Sequence, residues 1–381
     1  MMKLNPFLAA TIFIFIPVFA ARPMTSLFAK QLGASIIEIG LITACFSILP
    51  LLLAIFAGRY IDRYGERPPL ALGSVGIFLS LCLPYFFPYT SILYLSQLLL
   101  GISQLMAILA IQNGVAKSSE GGSINSSIGS FSLFSSTGML LGPLLGGYAT
   151  EHFGFQTSYL LLAFVPLIAL VLSFYIVNKN VNQQSEPLEG KSNVKELFQI
   201  SGLRSSLLVS MIVLSALDIF YVYFPLLAQS LGLSLSEIGW ALSAQATANA
   251  LVRIFMPHLV NKFGITTILW IFMLIGAFGY GMIPFLHGFA AIFLFAFILG
   301  TGLGVTQPLT IILAYTFSPA GRSAEVLGVR LASNRLAQTI VPFAFAGISS
   351  FIGLGPIFFM NSLLLIFGAF TANGISKMMK I

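Results

Sequence analysis

The chain has 381 residues, of which 57% are hydrophobic and only 8% are charged, whereas a soluble domain carries about 25% charged residues. A water-soluble protein of this composition would have no polar surface to present to water, so the bilayer is predicted to be its solvent. The net charge of +7 lies in short loops between apolar runs, which argues against a nucleic-acid partner. Cys45 and Cys82 lie in apolar runs and give neither a disulfide framework nor a zinc spacing.

Twelve apolar runs are each long enough to cross a membrane, which takes about 20 residues. The first run is too long for a signal peptide and has no small-x-small cleavage site, so it is predicted to be a retained span. The predicted spans are 6–28, 38–57, 69–88, 92–116, 124–148, 156–177, 204–229, 237–257, 266–286, 289–314, 325–349 and 355–376.

The Lys and Arg residues between these spans predict an orientation. Thirteen of them fall at one set of alternating ends, and only Lys30 falls at the other set. Cytoplasmic loops carry the excess of positive charge, so both termini are predicted to be cytoplasmic, which requires an even number of spans. The short loops fit a bacterial cytoplasmic membrane. The chain is expected to be a monomer.

One extended polar stretch divides the chain near its middle. Its composition is typical of a flexible cytoplasmic linker. The predicted organisation is a six-helix half at 1–178, a linker at 179–201 and a second six-helix half at 202–381.

The two halves match each other at a constant offset of 199 residues. The segment 32–40 aligns with 231–239, and 62–65 aligns with 261–264. Gly101 aligns with Gly300 in the same register. Two repeats with the same topology relate by an axis along the membrane normal and enclose a site near the midplane. The fold class is therefore all-α integral membrane, with two pseudo-symmetric halves.

A motif follows the second span and reads Gly58-Arg59-Tyr60-Ile61-Asp62-Arg63-Tyr64-Gly65-Glu66-Arg67. It resembles the G-x-x-x-D-R-x-G-R-R/K loop of the major facilitator superfamily, as do the length, the twelve spans and the repeat. The resemblance implies that Asp62 accepts hydrogen bonds from the cytoplasmic end of span eleven, near Ser323 to Arg330, in one transport state. A helix N-terminus attracts an anion. The alternative is that the arginines of the loop only set topology.

The fifth span contains Gly138-Met139-Leu140-Leu141-Gly142-Pro143-Leu144-Leu145-Gly146-Gly147. This run resembles the G-x-x-x-G-P-x-x-G-G motif of exporters in that superfamily, chiefly drug/proton antiporters. Gly138, Gly142 and Gly146 share one helix face, where a neighbouring backbone can approach closely; the alternative is generic helix packing. One feature departs from the antiporter pattern: the residue three before Gln104 is Gly101 rather than Arg. The usual route of proton coupling is therefore in doubt.

Buried ionisable groups are costly in a membrane and point to function. Asp218 is the only carboxylate well inside a span, and the repeat places Arg22 at a similar depth in the opposite half. The two residues are predicted to form a gate or a coupling pair across the cavity. The alternatives are a permanent structural ion pair, or an Arg22 that extends towards the membrane surface.

Two helices carry polar stripes at a spacing of four residues. Gln245, Asn249 and Arg253 lie on span eight, and Arg330, Asn334 and Gln338 lie on span eleven. Because a stripe facing lipid is unfavourable, both are predicted to line the cavity, together with Gln104 of span four. The alternative is hydrogen bonding between helices without contact to substrate.

Four Arg and one Asp inside the membrane make the predicted interior electropositive, which favours an anionic or zwitterionic substrate. The histidines form no metal constellation, and no catalytic or ATPase motif is present, so the chain is not expected to be an enzyme. The predicted function is secondary transport of a small organic solute, with no cofactor and with a proton or other ion gradient as the energy source. Export is preferred; the alternatives are import of a small organic anion and a non-transporting membrane receptor.

Overall fold

The computed structural model describes residues 5–117, 124–176, 194–319 and 322–378. The regular structure in these ranges is helical throughout, with a single 3₁₀ turn at Ile283–Phe285. The helices are α1 (Pro6–Gln31), α2 (Ile36–Tyr64), α3 (Arg67–Phe86), α4 (Thr90–Lys117), α5 (Ile124–Ala163), α6 (Val165–Phe174), α7 (Val194–Gln199), α8 (Ser201–Ser230), α9 (Leu235–Phe263), α10 (Ile265–Met282), α11 (Phe289–Gly304), α12 (Thr306–Thr316), α13 (Ser323–Ile352) and α14 (Gly355–Met378).

Within the described ranges, nine helical segments are long and apolar enough to cross a membrane. Phe131–Phe174 has 44 residues, twice the roughly 20 residues that one span needs, and its helix is interrupted at Gly154 (φ +76°). Helices α9 and α13, which carry the polar stripes, are not among the nine. The predicted spans coincide with described helices except at their ends, although span 156–177 covers the end of α5 and α6 and reaches beyond the described residues, and span 289–314 covers α11 and α12. The predicted all-α membrane fold is confirmed.

The internal repeat is present in the local structure of both halves. The side chains of Ser35 and Glu38 form a capping box at the start of α2. At the offset of 199 residues, Ser234 and Glu237 exchange the same backbone-to-side-chain hydrogen bonds at the start of α9. A Ser and a Glu three residues later satisfy N–H groups that have no partner inside the helix.

The repeat extends to the packing of helices within each half. A Cβ on Gly101 of α4 would overlap the Phe46 carbonyl of α2, and a Cβ on Gly300 of α11 would overlap the Gln245 carbonyl of α9. Both pairs stand 199 residues apart. Such close contact of helix backbones is possible only where a side chain is absent. The matching residues therefore bring equivalent helices together in the two halves.

The chain divides into two compact units, one comprising Met1–Glu186 and Ser234–Ser243 and the other comprising Pro187–Leu233 and Ala244–Ile381. In the first unit, α1 packs mainly on α5, and α4 packs on α2 and α3. In the second unit, α10 packs on α11 and α14, and α8 packs on α13 and α14. The first turns of α9 belong to the first unit, whereas the predicted boundary assigns the whole helix to the second half. The predicted domain limits stay a prediction.

The predicted linker lies partly outside the described residues, since its first part falls in the gap between 176 and 194. Its last part contains α7, and Leu197 of this helix is fully buried in an apolar cluster with Leu203 of α8 and Val326 of α13. This end of the linker is therefore helical and packed against the second unit.

Candidate functional site

The polar stripe of α9 is directed at other helices of the second unit. The Gln245 side chain is fully buried, and its Oε1 accepts a 3.2 Å hydrogen bond from the Tyr221 hydroxyl of α8. Asn249 is also buried, and its Oδ1 has no hydrogen-bond partner among the described residues. Arg253 reaches the junction of α11 and α12, where its Nε donates to the Gly304 carbonyl oxygen at 2.9 Å. These contacts fix the stripe inside the second unit.

The stripe of α13 is buried along its whole length. Nη2 of Arg330 donates to Thr310 Oγ1 of α12 at 3.0 Å, and Asn334 Oδ1 accepts a 3.0 Å hydrogen bond from Ser210 of α8. Gln338 accepts a hydrogen bond within its own helix. The hydrogen bonds of both stripes join helices of one unit, and contact with a transported solute stays a prediction.

Asp218 of α8 is buried, and its carboxylate lies within electrostatic range of the Tyr280 hydroxyl of α10. That hydroxyl donates a hydrogen bond to the Ala216 carbonyl oxygen. Asn361 of α14 is fully buried and lies close to Tyr280. Neither Nδ2 nor Oδ1 of Asn361 is within hydrogen-bonding geometry of another described residue. Sequence reasoning missed Tyr280 and Asn361, although a lone Asn in the apolar run 355–368 was the available signal.

Arg22 of α1 is half-buried in the first unit. Its guanidinium lies over the Phe46 ring of α2, with 4.8 Å between the guanidinium carbon and the ring centroid. This geometry is that of a cation–π contact, which lowers the cost of holding a cation among apolar helices. Because Arg22 and Asp218 belong to different units, their predicted pairing stays a prediction.

A chain of hydrogen bonds crosses the interior of the first unit. Nε2 of Gln97 on α4 donates to Thr25 Oγ1 of α1 at 2.9 Å, and Thr25 Oγ1 lies 2.8 Å from the Tyr159 hydroxyl of α5. All three side chains are buried. Gln104, two turns further along α4, is also buried. The network joins α1, α4 and α5, and sequence reasoning missed Thr25 and Tyr159. Contact of Gln104 with a transported solute stays a prediction.

The motif at 58–67 is more helical than a loop. Helix α2 continues to Tyr64, so that Gly58, Asp62 and Arg63 lie on its last two turns. Gly65 ends the helix with a positive φ of 78°, a conformation that suits glycine, and Arg67 begins α3. The side chains of Asp62 and Arg63 are exposed.

Glu66 stands where the resembling motif has an arginine, and its side chain is buried. Its Oε1 accepts a 2.9 Å hydrogen bond from Asn113 Nδ2 and lies 2.7 Å from the Lys117 ammonium. Both partners are on the last turns of α4. The inverted charge at this position therefore ties the α2–α3 connection to α4.

The glycine motif of α5 faces α1 on one side. A Cβ on Gly142 would lie 2.7 Å from the Ile16 carbonyl oxygen, and a Cβ on Gly146 would lie 3.0 Å from Ala20 Cβ. A Cβ on Gly138 would overlap Phe15. These three glycines let the backbones of α5 and α1 approach as closely as small-residue interfaces in membranes do.

The other side of the same motif contacts the first turns of α9. A Cβ on Gly239 would lie 2.5 Å from the Pro143 carbonyl oxygen, and a Cβ on Gly147 would overlap the Leu235 carbonyl oxygen. At the end of this contact, the Glu151 carboxylate accepts a 2.6 Å hydrogen bond from the Ser236 backbone N–H. That bond lowers the pKa of Glu151 below its ordinary value. The motif thus joins α1 and the start of α9 to α5.

Among the described residues, no group of three or more His, Cys, Asp or Glu side chains could hold a metal ion. The polar side chains of the described interior carry guanidinium, amide, hydroxyl and carboxylate groups, which suit reversible binding of a solute.

The helices, the buried polar stripes and the repeat define a polytopic membrane protein with two helical repeats, the class that includes secondary transporters. The family model described as Major Facilitator Superfamily matches residues 7–342, and the chain belongs to that superfamily. It is a transporter of small molecules in a membrane and not an enzyme.

Two relatives of this chain are named as drug-resistance proteins. Multidrug resistance protein 2 of Bacillus subtilis is 24% identical over 358 residues, covering 87% of this chain and 88% of that protein. Quinolone resistance protein NorA of Staphylococcus aureus is 24% identical over 303 residues, covering 77% of this chain and 76% of that protein. A crystal structure of a nucleoside transporter has the same fold, with a TM-score of 0.81 at 12% identity, over 98% of this chain and 100% of that chain.

Proposed function

We propose that the chain exports a small organic solute from the cytoplasm by alternating access, driven by a proton or other ion gradient. The observation that carries the proposal is the packing of the α5 motif, whose glycines contact α1 on one face and the start of α9 on the other. The two relatives named as resistance proteins support the direction. The chain would work as a monomer in the cell membrane, with both termini cytoplasmic.

The motif suits a rocking transporter for a physical reason. Alternating access moves one six-helix repeat against the other around a fixed site, and small sliding motions of packed helices carry such changes. Gly147 and Gly239 leave two backbones in contact without interlocking side chains, which allows sliding. The row of Gly138, Gly142 and Gly146 keeps α5 and α1 together as one body during that motion.

A second candidate is import of a small organic anion in the same fold. It is favoured by the guanidinium groups of the half-buried Arg253 and the buried Arg330, which suit carboxylate or phosphate. The two directions are distinguished by the side of the membrane on which solute accumulates.

The test is solute flux in inside-out membrane vesicles that contain the protein. An exporter accumulates substrate inside such vesicles when a gradient is imposed, and collapse of the gradient abolishes the accumulation. Asp218→Asn, which removes the buried carboxylate, is expected to lose gradient-driven accumulation, whereas Glu38→Gln at an exposed helix start is expected to retain it. Accumulation only in right-side-out vesicles would replace export by import. Absence of flux in either orientation, with a ligand still bound, would indicate the receptor alternative.

A further inference from the structure

The hydrogen-bond ladder of the tenth span is interrupted at a defined position, although the backbone of Val305 there stays in the helical region. Helix α11 ends at Gly304 and α12 begins at Thr306. In a continuous helix the Gly304 carbonyl would accept from the N–H of residue 308, but Pro308 has no N–H to donate. The Arg253 Nε supplies the missing donor at 2.9 Å. The Arg253 side chain of α9 therefore makes the hydrogen bond to Gly304 that Pro308 cannot make.

A second guanidinium reaches the same helical turn from another neighbouring helix, α13. Arg253 Nη2 donates to Gln307 Oε1 at 3.3 Å, and Arg330 Nη2 of α13 donates to Thr310 Oγ1 at 3.0 Å. Residues three apart on a helix are neighbours on its surface, with about 5–6 Å between their Cβ atoms. Gln307 and Thr310 therefore hold the two cations beside one turn of α12.

The charge of Arg330 is not neutralised by the residues around it. Its side chain is 5% exposed, and its Nε has no hydrogen-bond partner within the described part of the chain. Arg330 forms no ion pair with any described residue. The carboxylates of Glu196 and Glu325 both pair with Arg322 instead. Burying a cation without a counter-charge is strongly unfavourable. A partner from outside the chain would offset that cost.

We propose that Arg253 and Arg330 form a binding site for a single anionic group, a carboxylate or a phosphate, beside the Gln307–Thr310 turn. The guanidinium fork matches the planar carboxylate and the phosphate tetrahedron with paired donors. Arg330 supplies the donor that has no partner, and Arg253 supplies a second positive charge whose position the broken helix sets. The buried Asn249 Oδ1 lies on the next turn of α9 from Arg253, where it accepts a hydrogen bond from a hydroxyl or amine of the same ligand.

The anionic group has two sources of the same chemistry. It belongs either to the transported solute, which rests on the proposed function and names its substrate class, or to a phospholipid headgroup. Both source hypotheses require the same two arginines, so binding is tested before the source.

The experiment measures thermal unfolding of the full-length protein in neutral detergent against increasing inorganic phosphate, with sodium chloride at equal ionic strength as the reference. Phosphate is expected to raise the melting temperature of the wild type. Arg330→Gln and Arg253→Gln are each expected to weaken apparent phosphate affinity at least about tenfold, as loss of a charge-assisted hydrogen bond does. Arg335→Gln, on α13 and equal in charge change, is expected to leave the affinity unchanged. Arg330→Lys keeps the charge but loses the fork, and its affinity is expected to lie between those of Arg330→Gln and the wild type, which separates loss of charge from loss of fold.

The source is then assigned by repeating the measurement with succinate and with nanodiscs of phosphatidylglycerol or phosphatidylcholine. Stabilisation by succinate as well as phosphate assigns the site to the solute, and stabilisation by phosphatidylglycerol alone assigns it to lipid. Equal stabilisation of the wild type and both Gln variants, or no stabilisation of the wild type by any of these anions, overturns the proposal. Because binding in detergent needs no gradient, a failure of the export proposal would appear separately as absence of flux.

Discussion

The Lys117 ammonium at the end of α4 lies 2.7 Å from the carboxylate of Glu66, whose side chain is 7% exposed while that of Lys117 is 61% exposed. The same carboxylate accepts the Asn113 amide at 2.9 Å. Removing a buried carboxylate, or the partners that it binds, lowers the stability of the fold strongly. An exposed cation contributes little to stability, because water competes for it. The buried hydrogen bond from Asn113 to Glu66 is therefore expected to stabilise the fold more than the ion pair with Lys117.

Removal of Glu66 is predicted to cost more than removal of Lys117. Glu66→Ala is expected to lower the free energy of unfolding by about 1.5–3 kcal/mol, the range for hydrogen bonds to charged groups. Lys117→Gln is expected to cost less than about 1 kcal/mol, as surface ion pairs do. Denaturation of the purified protein in detergent measures both. Equal losses in the two variants would show that the ion pair, rather than the buried hydrogen bond to Asn113, holds the connection.

Gly142→Ala is predicted to separate α5 from α1. The added Cβ would stand 2.7 Å from the Ile16 carbonyl oxygen and 3.0 Å from the Ala20 nitrogen, so a backbone must move, at about 1–3 kcal/mol for an overpacked core. The matched control is Gly374→Ala in α14, where a Cβ meets nothing within 4 Å. That change is expected to be neutral or to stabilise by up to about 1 kcal/mol through helix propensity. Melting temperature and flux are measured for both, and similar behaviour of the two variants would refute the packing role.

Much of the fold could be predicted because apolar length and glycine placement are local properties of the sequence. The bilayer fixes the length of an apolar run, and the capping pairs Ser35–Glu38 and Ser234–Glu237 mark where two helices begin. Hydropathy reports the thickness of the apolar layer and not the length of the helix. For that reason α2 continues past the predicted end of its span to Tyr64, and the helix α7 in the polar linker was not foreseen.

The partners of the polar residues could not be predicted, since they depend on which helices meet. Thr25 and Tyr159 are 134 positions apart in the chain, and no local pattern connects them. Pro308 signals the interrupted hydrogen bond at Gly304, but the Arg253 guanidinium that donates to the Gly304 carbonyl comes from another helix. The stripe residues lie on α9 and α13, and their contacts with α8 and α12 depend on the three-dimensional packing of helices.

Glu151 is predicted to give the protein an acid-sensitive contact at the start of α9. The Ser236 backbone N–H is the largest cause that holds the pKa of Glu151 below its ordinary value of 4.5, with smaller contributions that include the neighbouring His152. Ionised Glu151 therefore stabilises the folded protein above pH 4.5, and that contribution is lost as the pH falls through the lowered pKa. Between pH 7 and pH 4, the melting temperature is expected to fall less in Glu151→Gln than in the wild type, because the variant has no carboxylate to titrate at this contact.

The control for this contact is Ser236→Ala, which keeps the backbone donor and is expected to keep most of the pH dependence. Glu38, whose pKa is lowered by Ser35, titrates alike in all three proteins and does not affect the comparison. A pH profile of Glu151→Gln that coincides with the wild type would contradict the assignment.

Asp62→Asn is predicted to slow transport, on the hypothesis that Asp62 gates the cytoplasmic side. The side chain is exposed at the end of α2, and an anion there is suited to a helix N-terminus such as that of α13. Loss of a hydrogen bond to a charged group corresponds to a change of about tenfold or more in the population of the state that it stabilises. Flux and the accessibility of engineered cysteines on both sides report the change. Glu38→Gln at the other end of α2 is the control, and unchanged flux and accessibility in Asp62→Asn would show that the motif only sets topology.

A charge swap tests the predicted pairing of Arg22 with Asp218. Each single change, Arg22→Asp and Asp218→Arg, is expected to abolish flux, because it leaves two like charges in the membrane interior, where an uncompensated charge costs several kcal/mol by order of magnitude. The double variant is expected to recover part of the flux if the two groups face each other. Arg22 already has a cation–π contact with Phe46, and Asp218 lies near Tyr280, so each residue has a neighbour in its own unit. No recovery in the double variant, together with loss of flux in Phe46→Leu and Tyr280→Phe, would assign the two charges to separate roles.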